Sequence, residues 1–418
     1  MTGFDPQSPS GTDAGGRGER VRLAVIGLGA ISQSVHLPLI RRNADRIELA
    51  AVVDLSASRA HEVAAASGTG VLAFDSVAAL IDAVAGGALR VDGAVLATSG
   101  SHAPDVARLV AAGIRVLAEK PLAFSLAEID DLREVAVQRG IDLADWVRVG
   151  YMKEHDPAST AAKALLADVD VRAVTVEVLH PADGAQLAFA NLAPAPSDVP
   201  PDLLASLVAA TDATVAAAIG VAPEPLPKLY TNVVLGSIVH DVGLLRHLIG
   251  GIGTVDRARH TGPGFPGSLS LGGVLAEHSD VPWSIEWHFI PRYPEYRETV
   301  TFHHETGTIA LTFAVPYVLN APTVLTVVEN AEPLGSRRSE TRWMQEEAFE
   351  QELRSFAALV AGHPEPGPSV DEGAADIVVG QRMLRTLADA IGAPIGVSTE
   401  AGAPEEQPVA VPQHHDHP

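Results

Sequence analysis

Between residues 21 and 150, short apolar runs alternate with amphipathic stretches of about a dozen residues. The runs "VRLAVIG", "IELAAVVD", "VLAF", "VDGAVLAT" and "IRVLAEKP" carry few polar residues, and "AISQSVHLPLIRR", "SASRAHEVAAASG", "DSVAALIDAVAGG" and "SHAPDVARLVAAG" separate them. A strand that is apolar along its whole length has both faces covered. A parallel sheet with helices on each side meets that demand. The pattern therefore predicts an α/β domain with a doubly wound parallel sheet over residues 20–150. Ser125 with Glu128 forms a capping-box pattern that opens a further helix, closed at Gly140.

After residue 150 the pattern changes. "VRAVTVEVLH" reads as a strand, and "DLLASLVAATDATVAAAIG" and "SIVHDVGLLRHLIG" as helices. Alternating runs follow, "SLSLGGVLAE", "WSIEWHFI", "ETVTFHH", "GTIALTF" and "TVLTVVEN", then two more helical stretches. Period-2 alternation with turn signals predicts a large open, mainly antiparallel sheet. Residues 151–398 are accordingly read as a C-terminal α+β domain for substrate binding and oligomerisation. Segment 180–230, rich in Pro and Ala, is expected to cover the site or form a subunit contact. Residues 1–19 and 399–418 are read as disordered tails of Gly, Ser, Pro and acidic residues.

The chain has 418 residues, 47% of them hydrophobic, which suits two domains. Its 52 acids against 29 Lys and Arg leave a net charge of −23, which repels nucleic acid and anionic membranes. No cysteine is present, so disulfides, zinc–thiolate sites and a cysteine nucleophile are excluded. A cytoplasmic location is expected, with no membrane partner, since no run of about 18 uncharged apolar residues occurs. No metal site is expected. The tail histidines 414, 415 and 417 lack groups to orient them, and His303 and His304 face opposite sides of a strand.

The first strand runs into "GLGAIS". Gly27 allows a tight turn, and Gly29 lets backbone N–H groups of Ala30 and Ile31 approach a pyrophosphate. The small Ser32 permits close helix–strand packing. The motif follows a strand and opens a helix, the context a dinucleotide site requires. Asp54 ends the second strand. Its carboxylate either accepts ribose hydroxyls, favouring NAD over NADP, or only caps the next helix. Ser56 and Arg59 nearby keep NADP possible. Lys120 ends the fifth strand in "VLAEKPLAF", where open α/β sheets bind ligands. Two readings stand: a Glu119–Lys120 surface pair, or an ammonium aimed at the crevice. Pro121 fixes the chain direction there, through a cis bond in one version.

These segments, with "VGYMKEHDP", "SIVHDVGLLRHLIG", "GTIAL" and "EQELRSFAALVAG…SVDEGAADI", resemble the glucose–fructose oxidoreductase / inositol dehydrogenase (Gfo/Idh/MocA) family over residues 21–395. The resemblance implies a Rossmann domain followed by an α/β domain on a large open sheet. It also implies hydride transfer between NAD(P) and a secondary hydroxyl of a sugar or cyclitol. Lys120 matches the family's catalytic, substrate-contacting lysine, and His240 its catalytic histidine, which suits removal of a hydroxyl proton near neutral pH. Thr98, His102, Glu119 and Lys120 would meet the cofactor, His102 as packing or a helix cap. Tyr151 and Lys153 would contact substrate, or else belong to a surface loop. A homodimer or homotetramer is the family-level expectation.

The chain departs from the family at two places. Gly236 stands where many members carry an Asp four residues before the histidine, and Gly243 where many carry one three after it. Asp241 points about 100° round the helix from His240 and replaces neither. Two alternatives therefore stay open: a catalytically silent NAD(P)/sugar-binding regulatory protein, and a redox-neutral oxidation–elimination enzyme that retains NAD.

Overall fold

A computed structural model describes residues 19–393 and 395, except residues 191, 263, 364 and 365. The expected tails and the tail histidines lie outside the described residues, apart from Glu19.

The first sheet holds six strands: β1 (Val21–Ile26), β2 (Ile47–Val53), β3 (Leu72–Phe74), β4 (Gly93–Leu96), β5 (Arg115–Glu119) and β6 (Val147–Gly150). Their order is β3-β2-β1-β4-β5-β6 and every pairing is parallel. The order reverses between β1 and β4, and the crevice beyond the strand ends there is where such sheets take ligands. Residues of β1 alternate between two cores. Ala24 and Ile26 join the larger one, while Leu23 and Val25 pack with Leu39, Phe349, Leu353 and Phe356. Phe349, Leu353 and Phe356 come from helix Ala348–Val360, so the chain returns from its far end to cover one face of this sheet. Glu350 on that helix accepts hydrogen bonds from Asn43 (2.9 Å) and Arg42 (3.0 Å).

The second sheet has eight strands: β7 (Val171–His180), β8 (Arg257–Thr261), β9 (Ser268–Val274), β10 (Pro282–Phe289), β11 (Arg297–His304), β12 (Gly307–Phe313), β13 (Val324–Ala331) and β14 (Gly335–Arg342). The order is β14-β13-β12-β11-β7-β10-β9-β8. Among the described residues only the β7–β10 pairing of this sheet is parallel. Period-2 burial places Val174, Val176, Ile285, Trp287, Val300, Phe302 and Leu311 on the covered face. The polar β14, exposed along its length, has no alternation to read, and the sequence does not announce it. Its charges suit an edge that must not pair with another chain.

The helix read as "SIVHDVGLLRHLIG" begins earlier than expected. Leu226–Lys228 runs into a π-helical stretch, Leu229–Ile238, and then into Val239–Ile249. Segment 180–230 contributes helix Pro201–Ile219, which buries only its end, at Val215, Ala218 and Ile219. By length and composition this helix is apolar enough to cross a membrane, although just 17% of it is buried in the fold. The expectation concerned uncharged runs of about 18 residues, and Asp202 and Asp212 interrupt this one.

Candidate active site

The glycine loop leaves β1 with Gly27 at φ +86. A Cβ on Gly27 would stand 2.6 Å from the Ala97 carbonyl oxygen, so the loop is seated against the end of β4 and only glycine fits. Around Gly29 a Cβ would meet nothing within 4 Å. Protein packing therefore does not demand that glycine, and the open space beside an exposed backbone suits a dinucleotide pyrophosphate. Ser32 donates to the Gly27 carbonyl at 2.5 Å and ties the following helix to the loop. Asp54 braces the same loop. One carboxylate oxygen accepts from the Leu28 N–H and the other from the Ser56 N–H, both at 2.9 Å. A carboxylate offers about four lone-pair sites, so these two bonds leave room for ribose hydroxyls.

At the tip of β5, Glu119 and Lys120 do not pair with each other. Glu119 turns to His36, Oε1 to Nε2 2.9 Å. Burial pushes the Glu119 carboxyl up, but the His36 hydrogen bond and charge, with Lys120 and His102, outweigh it and the pKa is lowered. Lys120 crosses the crevice and donates from Nζ to the Gly236 carbonyl at 2.6 Å. Its ammonium pKa is lowered, chiefly by burial, against the attraction of Glu119. The Lys120–Pro121 peptide is cis. His102 does not cap its helix by side chain. Nδ1 lies 2.7 Å from the Pro121 carbonyl and Nε2 2.9 Å from that of Thr98, so the ring clamps the two strand-end loops that flank the crevice.

His240 stands one turn after Gly236, and its Nδ1 is sealed from solvent without a hydrogen-bond partner. Burial first, then the charges of Lys120 and Lys153, hold its pKa well below the usual histidine value. The ring is therefore neutral at neutral pH. Its helix also shares a cavity whose lining includes Lys153, Tyr296, Glu298, Phe313 and Trp343.

Residues 21–145 match the family described as "Oxidoreductase family, NAD-binding Rossmann fold", Gfo/Idh/MocA. The similarity to this family rests on residues 21–145 of the 418. A putative UDP-kanosamine synthase oxidoreductase subunit of Amycolatopsis mediterranei is 39% identical over 125 residues, 30% of this chain and 32% of that protein. The inositol 2-dehydrogenase of Gluconacetobacter diazotrophicus is 32% identical over 147 residues, 34% of this chain and 40% of that protein. The matched region thus spans 32% to 40% of the length of these relatives. Among solved structures, a UDP-N-acetylglucosamine 3-dehydrogenase from Acidithiobacillus ferrooxidans superposes with a TM-score of 0.61 at 19% identity, over 89% of this chain and 99% of that one. That likeness is one of fold, and at 89% of this chain it takes in the second sheet as well as the first.

The two glycines at which the resemblance led us to expect acids, Gly236 and Gly243, have different surroundings. A Cβ on Gly236 would lie 3.1 Å from the Thr231 carbonyl oxygen, so the π-helical turn is tight there. At Gly243 a Cβ would stand 3.3 Å from Asp376 Oδ2 and from the Tyr151 ring. Asp376, from helix Val370–Ala390, therefore brings a carboxylate to that place from elsewhere in the chain, and binds Arg246 at 3.0 and 3.1 Å.

Tyr151 goes with that cluster rather than with the cavity. Its ring is buried against Gly243 and 5.5 Å from the Arg246 guanidinium, and burial, with Asp376, raises its pKa well above 10.0. The expected substrate contact at Tyr151 is thus not among the cavity-lining groups. The chain enters a turn at Met152–His155 that sends Lys153 inward instead. Lys153 is buried, forms an ion pair with Glu298, lies 3.7 Å from Asp241 Oδ1 and sits 4.8 Å from the Phe313 ring centroid. Tyr296 donates to Glu298 at 2.7 Å. Burial, with Glu298 beside it, raises the Asp241 carboxyl well above its usual range. Burial also pushes Glu298 up, but Lys153 and its hydrogen bonds outweigh this and lower its pKa. Of the two carboxyls, Asp241 is thus the more readily protonated. Sequence reasoning missed Glu298 and Tyr296. The signal was present: Glu298 is in phase with Val300 and Phe302, an acid on the buried face of its strand.

Proposed function

We propose that the protein is an NAD-dependent oxidoreductase acting on a secondary hydroxyl, or the matching carbonyl, of a sugar, cyclitol or sugar derivative. The observation that carries the reading is the placement of the Lys120 ammonium on the Gly236 carbonyl, one turn from a neutral His240. Gly27, Gly29, Ala30, Ile31, Asp54, Thr98, His102, Glu119 and Lys120 would hold the dinucleotide, whose bound nicotinamide accepts or returns the hydride. His240, unprotonated at its working pH, takes the hydroxyl proton in oxidation. Lys120 donates to the same oxygen as negative charge grows on it, a preorganised stabilisation of the transition state. Lys153, held by Glu298, adds positive charge and a donor on the cavity side. Reduction runs the same proton transfers backwards. The relatives named for UDP-sugars and inositol support a polyol or sugar substrate class.

A second reading rests on the unpartnered Nδ1 of His240 and on Gly236. Among the described residues no carboxylate bonds to that Nδ1, which would suit a ligand-binding protein without turnover. The test is a screen of polyols, sugars and nucleotide sugars with NAD and NADP, followed by nicotinamide absorbance. Steady NADH formation with any of them supports the dehydrogenase. Tight NADH binding with no turnover across the panel favours the silent binder.

A further inference from the structure

Past the end of β2, where a dinucleotide's adenosine ribose lies in this fold, the protein has placed a second acid from a distant segment. Asp198 belongs to the stretch between β7 and helix Pro201–Ile219. One of its carboxylate oxygens accepts from the Ser56 hydroxyl at 2.6 Å and the other from the Ser58 N–H at 2.9 Å. Ser56 caps helix Ala57–Ser67, so the carboxylate sits on the positive end of that helix. The same stretch engages Arg59, whose guanidinium donates to the Pro194 carbonyl and, at 3.4 Å, to that of Leu28. Its Ala193 N–H reaches Gln33 Oε1, just behind the glycine loop, at 3.4 Å. Residues 193–198 thus run as a strap from the glycine-loop helix to the end of β2.

Ser56, the Ser58 N–H and Arg59 are the donors that a 2′-phosphate on the ribose would use. Every one is already engaged by the strap, two of them by a fixed negative charge. Hydrogen bonds from Ser56 and Ser58 hold the Asp198 carboxyl down to about 2, so the charge is present at all working pH values. A 2′-phosphate carries about −1.5 to −2 charges, and its approach to that carboxylate is opposed, whereas a ribose hydroxyl adds no charge to repel.

We propose that Asp198 is a cofactor-specificity residue: from the strap it occupies the donors that would receive a 2′-phosphate, and it thereby excludes NADP in favour of NAD. This rests on the dinucleotide-binding reading above. It adds to Asp54, which braces the glycine loop and keeps lone pairs for the ribose hydroxyls, a second discriminating acid from a distant segment.

The experiment measures binding of NADH and of NADPH by calorimetry to the intact protein and to the Asp198→Ala and Asp198→Glu variants. The wild type should prefer NADH. Asp198→Ala should tighten NADPH about tenfold or more while changing NADH by less than about threefold, as removal of one facing charge implies. Asp198→Glu keeps the charge and should keep the preference. Asp198 is exposed and its change should leave the fold intact, which circular dichroism checks. NADH binding with an unchanged NADPH/NADH ratio in Asp198→Ala would overturn the specificity role alone. Equal weakening of both cofactors would also overturn it, making the strap a mere cover. Failure of the wild type to bind either dinucleotide would overturn both this inference and the reading beneath it.

Discussion

The Lys120 ammonium and the Gly236 carbonyl are joined by a hydrogen bond of 2.6 Å. Position 236 has no side chain, yet it still meets the lysine, through its backbone. A carboxylate there would neutralise the ammonium. A neutral carbonyl orients it and leaves its charge free for an oxygen in the crevice. The π-helical turn is close at Gly236: a Cβ there would lie 3.1 Å from the Thr231 carbonyl, so a side chain requires the turn to give by a few tenths of an ångström.

Lys120→Met should cut kcat by about 10²–10³, the usual effect of removing one preorganised stabiliser, with NAD affinity nearly unchanged. Steady-state kinetics on the true substrate, beside calorimetry for NAD, checks both halves. Turnover within a few-fold of wild type would reduce Lys120 to a structural strut between the domains.

Gly27 and Gly29 should fail in different ways. Gly29→Val places its side chain in open space, so the melting temperature should hold while dinucleotide binding is lost. Gly27→Ala puts a Cβ 2.6 Å from the Ala97 carbonyl at φ +86 and should lower the melting temperature. Thermal scans with and without NADH separate the two.

The acidic limb of the kcat/KM profile in the oxidation direction should lie below the ordinary histidine pKa of about 6.5. His240 must be neutral to act as a base. Burial and the charges of Lys120 and Lys153 lower its pKa, so the neutral form persists as pH falls past 6.5. Activity then drops only when pH reaches the lowered value. Lys120→Met removes one of the depressing charges, and the residual activity should show its limb shifted towards higher pH. An unmoved limb in that variant would separate the limb from His240.

Glu298→Ala should destabilise the protein by up to about 3–5 kcal/mol, because it leaves the buried Lys153 ammonium with only the Asp241 carboxyl, 3.7 Å away, of the two acids beside it. Glu298→Gln keeps the shape and an acceptor and should cost less. Urea unfolding of both variants measures the difference, and a change below about 1 kcal/mol in Glu298→Ala would mean that water reaches Lys153.

The sequence by itself determined the local structure of the nucleotide-binding half. Apolar runs with no polar face can only be strands covered on both sides, and a glycine pair between a strand and a helix has few uses. The position of Lys120 at a strand tip followed from the same counting. The tertiary structure alone decided which side chains meet. Glu298 reaches Lys153 across 145 residues, Asp376 fills the gap beside Gly243, and Asp198 lies on Ser56 across 142. Tyr151 and Lys153, two residues apart in one loop, diverge into a packed cluster and a cavity because a single turn separates their directions. Periodicity reports which way a residue faces within its own element. It carries no information about what a distant segment brings to that face, and the charges that tune a site arrive by that route.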